Sequence, residues 1–201
     1  MDDYRRAAAW AGLASSVVGF GTILLATLVS PTFSWTASAL SDLGAAGEPT
    51  AWLFNGGLIA AGVVGLPFGW ALFATARGAL ERAGAAAFAG SVAALALVGA
   101  FPTGTPTHFP VAVAYFLLFT LAMWLHGAGA ALAGDVRRGL AAVGLGILHL
   151  LAWLAWAAVG PPGLALPELG GSVLLLGWLV LTTRWIHRET TWARGGEAAV
   201  T

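Results

Sequence analysis

The sequence predicts an all-α, polytopic membrane protein: a bundle of six transmembrane helices with both chain termini cytoplasmic. Three observations carry that reading. Of 201 residues, 59% are apolar and only 9% are charged, whereas an ordinary soluble domain carries about 25% charge. Six stretches approach the length needed to cross about 30 Å of hydrocarbon. All nine basic residues are arginines, and they fall only at alternate boundaries between those stretches.

Nine basic and nine acidic side chains cannot clothe a soluble protein of this length. The composition therefore excludes a soluble enzyme, a disordered chain and a nucleic-acid binder with a basic face. The chain has no Cys, which excludes disulfides, thiolate chemistry and iron–sulfur clusters. It also has no Lys, which excludes a Schiff base and a Walker-type phosphate loop.

The spans are expected at residues 7–30, 51–75, 84–101, 111–134, 139–160 and 170–186, within one domain covering 1–201. Arg5 and Arg6 precede the first, as in a signal peptide. Its apolar run exceeds the roughly 15 residues of a signal-peptide core and no A-x-A site closes it, so it is read as a retained helix. In the second span Gly57, Ala61, Gly65 and Gly69 recur every four residues, a small-residue stripe that lets another helix approach. Pro67 lies in the same span and removes the donor that would bond the Val63 carbonyl, giving either a packing kink or one that opens a cavity. The fourth and fifth spans are joined by the short turn 135–138, so they should be antiparallel neighbours.

Orientation follows from arginine. Arg5, Arg6, Arg77, Arg82, Arg137, Arg138, Arg184, Arg188 and Arg194 all fall on one side if there are six spans. The positive-inside rule makes that side cytoplasmic and the protein a multi-pass protein of the cell membrane. Trp10, Trp35, Trp52, Trp70, Trp185 and Trp192 lie near span ends, as an interfacial belt requires, while Trp124, Trp153, Trp156 and Trp178 lie deeper. No internal repeat supports an inverted-repeat transporter.

The arginine-free connections, residues 31–50, 102–110 and 161–169, carry the polar chemistry. The first holds Phe33, Trp35, Leu40 and Leu43 and is too apolar to float in water. It should fold back on the membrane, with a helical turn capped by Ser38. It carries Ser41, Asp42 and Glu48, with Asn55 one turn into the next span. His108 and Glu168 lie on the second and third connections. A carboxylate beside an imidazole suits a general acid–base pair or half a metal site. No H-x-x-x-H, H-E-x-x-H or G-x-S-x-G spacing supports either. The local alternatives are an Asp42 that caps a turn, a Glu48 that favours the start of the second span, and a His108 that bonds a loop carbonyl. Inside the bilayer, His126 and His149 are expected at similar depth on neighbouring spans. They either face each other as haem ligands or bond neighbouring helices separately. His187 is expected at the membrane edge.

The order of Ser41-Asp42-Leu43-Gly44, Leu53-Phe54-Asn55-Gly56-Gly57 and Gly99-Ala100-Phe101-Pro102 followed by His108 resembles the domain of unknown function 998 family, small multi-span prokaryotic membrane proteins. These motifs cover the first half of the chain; the second half is similar in its span layout. The resemblance implies a six-helix bundle whose shared residues, Ser41, Asp42, Asn55, Pro102 and His108, cluster on the outer face. It brings no settled activity. The chain departs from the family where Leu169 follows Glu168 in place of an expected Arg, which leaves Glu168 without that ion-pair partner.

The leading functional expectation is an outer-face pocket of Asp42, Asn55 and His108, with Ser41 and Tyr115, binding a lipid headgroup, a cation or a small solute. The partners are then the bilayer and one lipid or small molecule. The alternatives are a lipid hydrolase or transferase using Asp42 and His108, with or without a metal, and a b-type haem protein using His126 and His149. A channel needs a polar path, and mid-bundle the sequence offers only the two histidines with Ser15, Ser16, Ser91 and Thr120. The residues themselves assign no cofactor, metal or oligomeric state.

Overall fold

A computed structural model describes the backbone of residues 2–198 and the side chains of 3–188. Trp192 and Arg194, counted above in the belt and the arginine pattern, lie outside the described side chains. The described chain is all helical: α1 Asp2–Val29, α2 Ala51–Ala74, α3 Ala79–Ala100, α4 His108–Leu132, α5 Val136–Val159 and α6 Ala165–Ala198, with one 3₁₀ turn, Leu40–Gly44, between α1 and α2. Each of the six α-helices contains a stretch long and apolar enough to cross a membrane.

Five of the six helices start earlier than hydropathy suggests, and α3 and α6 are two of the three with the largest offset. α3 begins at Ala79 rather than 84, and α6 begins at Ala165 rather than 170 and continues past 186. In both cases a carboxylate marks the difference. Glu81 and Glu168 break the apolar run, yet each is satisfied by a hydrogen bond and the helix continues through it. α5 ends at Gly160, whose φ of 65° places it in the left-handed region where only glycine is unstrained.

Each helix packs on its neighbours in chain order, and α6 returns to α1, so the bundle closes as a ring. α5 lies at the periphery against α4 and α6. It presents Leu140, Ile147, Leu148, Leu151 and Leu154 outward, as lipid-facing positions require. The small-residue stripe of α2 is wholly buried. Gly57 abuts Thr22 of α1, Gly65 meets both Ser15 of α1 and Val92 of α3, and Gly69 meets Ala89 of α3. One stripe therefore docks two helices. Pro67 lies on the opposite, exposed side of an unbroken α2 and lines neither of the two cavities described below.

Two apolar clusters fill the ring. One joins Phe68, Phe88, Phe119, Met123 and Trp178, with Phe68 edge-on to Phe88 at 5.2 Å. The other, toward the arginine-free end, joins Ile23, Phe54, Leu58 and Val98 to Leu40 and Leu43 of the connecting loop. Hydrogen bonds between helices supplement packing: Ser15 Oγ donates to the Ala61 carbonyl at 2.7 Å, and Thr183 Oγ1 donates to the Ala9 carbonyl at 3.1 Å.

At the arginine-bearing end the side chains interlock. Glu81, 1% exposed, accepts from Arg77 Nη2 at 2.9 Å and lies 3.8 Å from Arg138 Nη1. The Arg138 guanidinium sits 3.4 Å from the centroid of the Trp185 ring, and its Nη2 is 3.2 Å from His126. Glu81 and Arg138 together thereby link α3, α4, α5 and α6.

Candidate functional site

The arginine-free end is closed by the first connection, residues 31–50. Leu40 and Leu43 are 4% and 2% exposed, so this segment does more than fold back on the surface: it plugs the ring. The expected helical turn is present as Leu40–Gly44, but Ser38 does not cap it. Asp42 does, its Oδ2 accepting from the Ala39 amide at 2.8 Å. Ser38 Oγ instead accepts from the Ser34 amide. A side chain three residues into the turn can reach back to the entering amide, as Asp42 does.

All three arginine-free connections converge on this turn. The Ser38 carbonyl accepts both the Leu164 and Ala165 amides at 3.0 Å. Glu168, on the first turn of α6, accepts the Leu40 amide at 2.6 Å. Thr103 Oγ1 donates to the Ser41 carbonyl at 2.8 Å, and Thr103 is 3.3 Å from His108 Nε2. His108 Nδ1 donates to the Phe101 carbonyl at 2.8 Å. Asn55 Nδ2 donates to the Gly44 carbonyl at 2.9 Å, while its buried Oδ1 has no hydrogen-bond partner among the described residues. The Glu48 carboxylate accepts from Thr32 Oγ1, while its backbone carbonyl accepts from the Ala51 amide that begins α2. Trp156 is not deep, because its indole N–H reaches the Gly163 carbonyl of the third connection at 2.8 Å.

Beneath the plug lies a cavity of about 80 Å³, reached by α1, α2, α3, α4 and α6. Its walls are mainly apolar: Phe20, Ile23, Leu58, Phe88, Val92 and Leu175 among them. Its polar lining is Ser15, Ser16, Ser41, Tyr115, Glu168 and Ser172. Ser172 Oγ donates to the Glu168 carbonyl at 2.9 Å. The Asp42 carboxylate is near enough to act through space on Glu168. The Glu168 carboxylate thus lines the cavity with Asp42 nearby on the plug, whereas the described arginine side chains lie toward the opposite end.

The five residues expected to form one pocket therefore divide. Ser41 and Tyr115 line the cavity, whereas Asp42, Asn55 and His108 fasten the plug above it. Asp42 and His108 are not hydrogen-bonded to each other; Thr103 and the Ser41 backbone stand between them. A general-base dyad is consequently not assembled. Glu168 falls outside the site expected from the sequence. In the sequence the residue reads as part of the connection after α5, and its contact with Leu40 spans 128 positions. The one available signal was a carboxylate at the start of an apolar run with no cation near it in sequence.

His126 and His149 do not lie at the similar depth expected, so the face-to-face arrangement that the haem alternative needs is absent. His126 lies six residues from the end of α4 and His149 thirteen from the start of α5. At 1.5 Å per residue their depths differ by about 10 Å. Both His149 nitrogens are engaged. The Trp153 indole N–H donates to Nε2 at 2.8 Å, which fixes the proton on Nδ1, where it faces Thr120 Oγ1 at 2.7 Å. Thr120 in turn donates to the Phe116 carbonyl. Among the described residues, no group of three or more His, Asp and Glu side chains is placed to hold a metal ion.

A six-helix, all-α bundle with these apolar spans defines a multi-pass integral membrane protein. More particularly, the chain matches the family described as "Protein of unknown function (DUF998)" over residues 7–185 and belongs to it. No curated protein and no solved structure matches the chain.

Proposed function

We propose that the cavity beneath the plug binds a slim amphiphile, with one alkyl chain in its apolar part and a small cationic or hydrogen-bond-donating head against Glu168. The observation that carries this reading is a partly buried carboxylate at the mouth of an apolar, membrane-embedded cavity, with a second carboxylate nearby and no arginine lining it. The narrow volume favours one chain over a bulky headgroup, and Ser41 and Ser172 supply further polar contacts. Charge-assisted hydrogen bonds to a carboxylate contribute about 1.5–3 kcal/mol, so they discriminate an ammonium from an alcohol of equal chain length. The arginine pattern supports a cytoplasmic arginine end in the cell membrane, with the cavity opening to the outer leaflet.

Thermal unfolding of the full chain in phosphatidylcholine nanodiscs tests this with octylamine, octanol and octanoate. Octylamine should bind roughly ten- to a hundredfold more tightly than octanol. Glu168→Gln should remove that advantage, and Ala112→Phe, which fills the cavity, should abolish the response to all three. An octylamine response unchanged in Glu168→Gln would overturn the proposal.

A further inference from the structure

A second cavity, of about 440 Å³, opens at the arginine-bearing end between α5 and α6. Four guanidinium side chains line it: Arg137 and Arg138 from the first turn of α5, and Arg184 and Arg188 from one face of α6. Asp135 is the one acidic residue in the described lining, and its Oδ1 already accepts from the Arg138 amide at 3.3 Å as the cap of α5. Like charges spaced i,i+4 on a helix repel, as do charges on adjoining helices that share a cavity. Arg138 is drawn back by Glu81 and stacked on Trp185, whereas Arg137, Arg184 and Arg188 are exposed around the opening.

We propose that this cavity holds the phosphate of an anionic phospholipid headgroup. Arginine presents a planar donor fork that matches phosphate oxygens, and the exposed forks of Arg137 and Arg184, on facing helices of one cavity, favour a negatively charged group. The position selects a lipid over a soluble anion. Arg137 is the second residue of α5, and Arg184 and Arg188 follow the apolar run 173–181 of α6, so the cavity lies where headgroups meet the hydrocarbon. Leu181 lines the same cavity while being 47% exposed, which gives an acyl chain a path from the headgroup down the outside of α6. Basic pockets between transmembrane helices on the cytoplasmic side are a general means of recognising acidic headgroups. The site stands apart from the cavity beneath the plug, and neither proposal depends on the other.

Native mass spectrometry of the full chain should show phosphatidylglycerol retained in preference to phosphatidylcholine. Arg137 and Arg184 are exposed and make no hydrogen bond or ion pair within the described residues. The double variant Arg137→Gln/Arg184→Gln should therefore fold, and should weaken phosphatidylglycerol binding on the order of thirtyfold, at about 1 kcal/mol per arginine. Arg5→Gln/Arg82→Gln removes equal charge away from the cavity and should keep the preference. Inorganic phosphate at millimolar concentration should leave the bound phosphatidylglycerol in place. The proposal fails if wild type shows no preference, if both double variants lose it equally, or if phosphate alone binds and displaces the lipid.

Discussion

Glu81 shows how one side chain organises an end of the bundle. It is 1% exposed and holds Arg77 through both its backbone amide and its guanidinium, while Arg138 lies beside it. Removing one partner of a buried ion pair leaves the other charges uncompensated and costs about 3–5 kcal/mol. Glu81→Ala should therefore lower the stability of the full chain by about that amount in detergent unfolding titrations, with Glu81→Gln losing less because it keeps an acceptor. Equal stability of Glu81→Ala and wild type would show that the cluster is ornamental. The importance of Glu81 was hidden in the sequence, where it sits between Arg77 and Arg82 and resembles a solvated loop charge. By contrast, the local bonds of Asp42 and His108 were legible. Both are made within a few residues, to the Ala39 amide and the Phe101 carbonyl, so chain geometry alone brings the partners together.

At the scale of elements, the plug depends on connections distant in sequence. Gly163 faces the Thr36 and Ser38 backbone closely enough that a Cβ would meet the Ser38 carbonyl oxygen at 2.8 Å. That carbonyl receives the two amides that begin α6. Gly163→Val should therefore push the third connection off the plug and loosen its hold on Leu40 through Glu168. Hydrogen exchange at residues 38–44 should rise by roughly tenfold, as expected if about one or two net hydrogen bonds are lost. Exchange within α3 should be unchanged, and an equal rise there would point to general destabilisation instead. The helices were legible in the sequence because each is an apolar run of membrane length. Their starts were not. Hydropathy ends a span at the first carboxylate, whereas the helix continues wherever that carboxylate finds a donor, as Glu81 and Glu168 do.

Over the whole molecule, the two ends differ in charge: the described arginines gather at one, and Asp42 and Glu168 lie at the other. The absence of native cysteine makes the resulting orientation simple to measure. A membrane-impermeant maleimide applied to intact cells should label Thr36→Cys on the exposed arginine-free connection and leave Gly78→Cys, between α2 and α3, unlabelled until the cells are opened. The reverse pattern would invert the bundle and place the arginine cavity outside. The sequence by itself determined that this chain is a six-helix membrane bundle, which boundaries share a side, and where polar side chains gather. These properties follow from transfer free energies and charge, which accumulate along the chain and need no knowledge of its partners. Only the tertiary structure decided which polar residues meet. It joined Leu40 to Glu168, set His126 and His149 at different depths, and drew four arginines around one cavity. The reason is that an apolar helix gains nearly the same transfer energy at any rotation or axial shift. Close packing at small residues such as Gly57 and Gly65, with a few directed hydrogen bonds, selects the register.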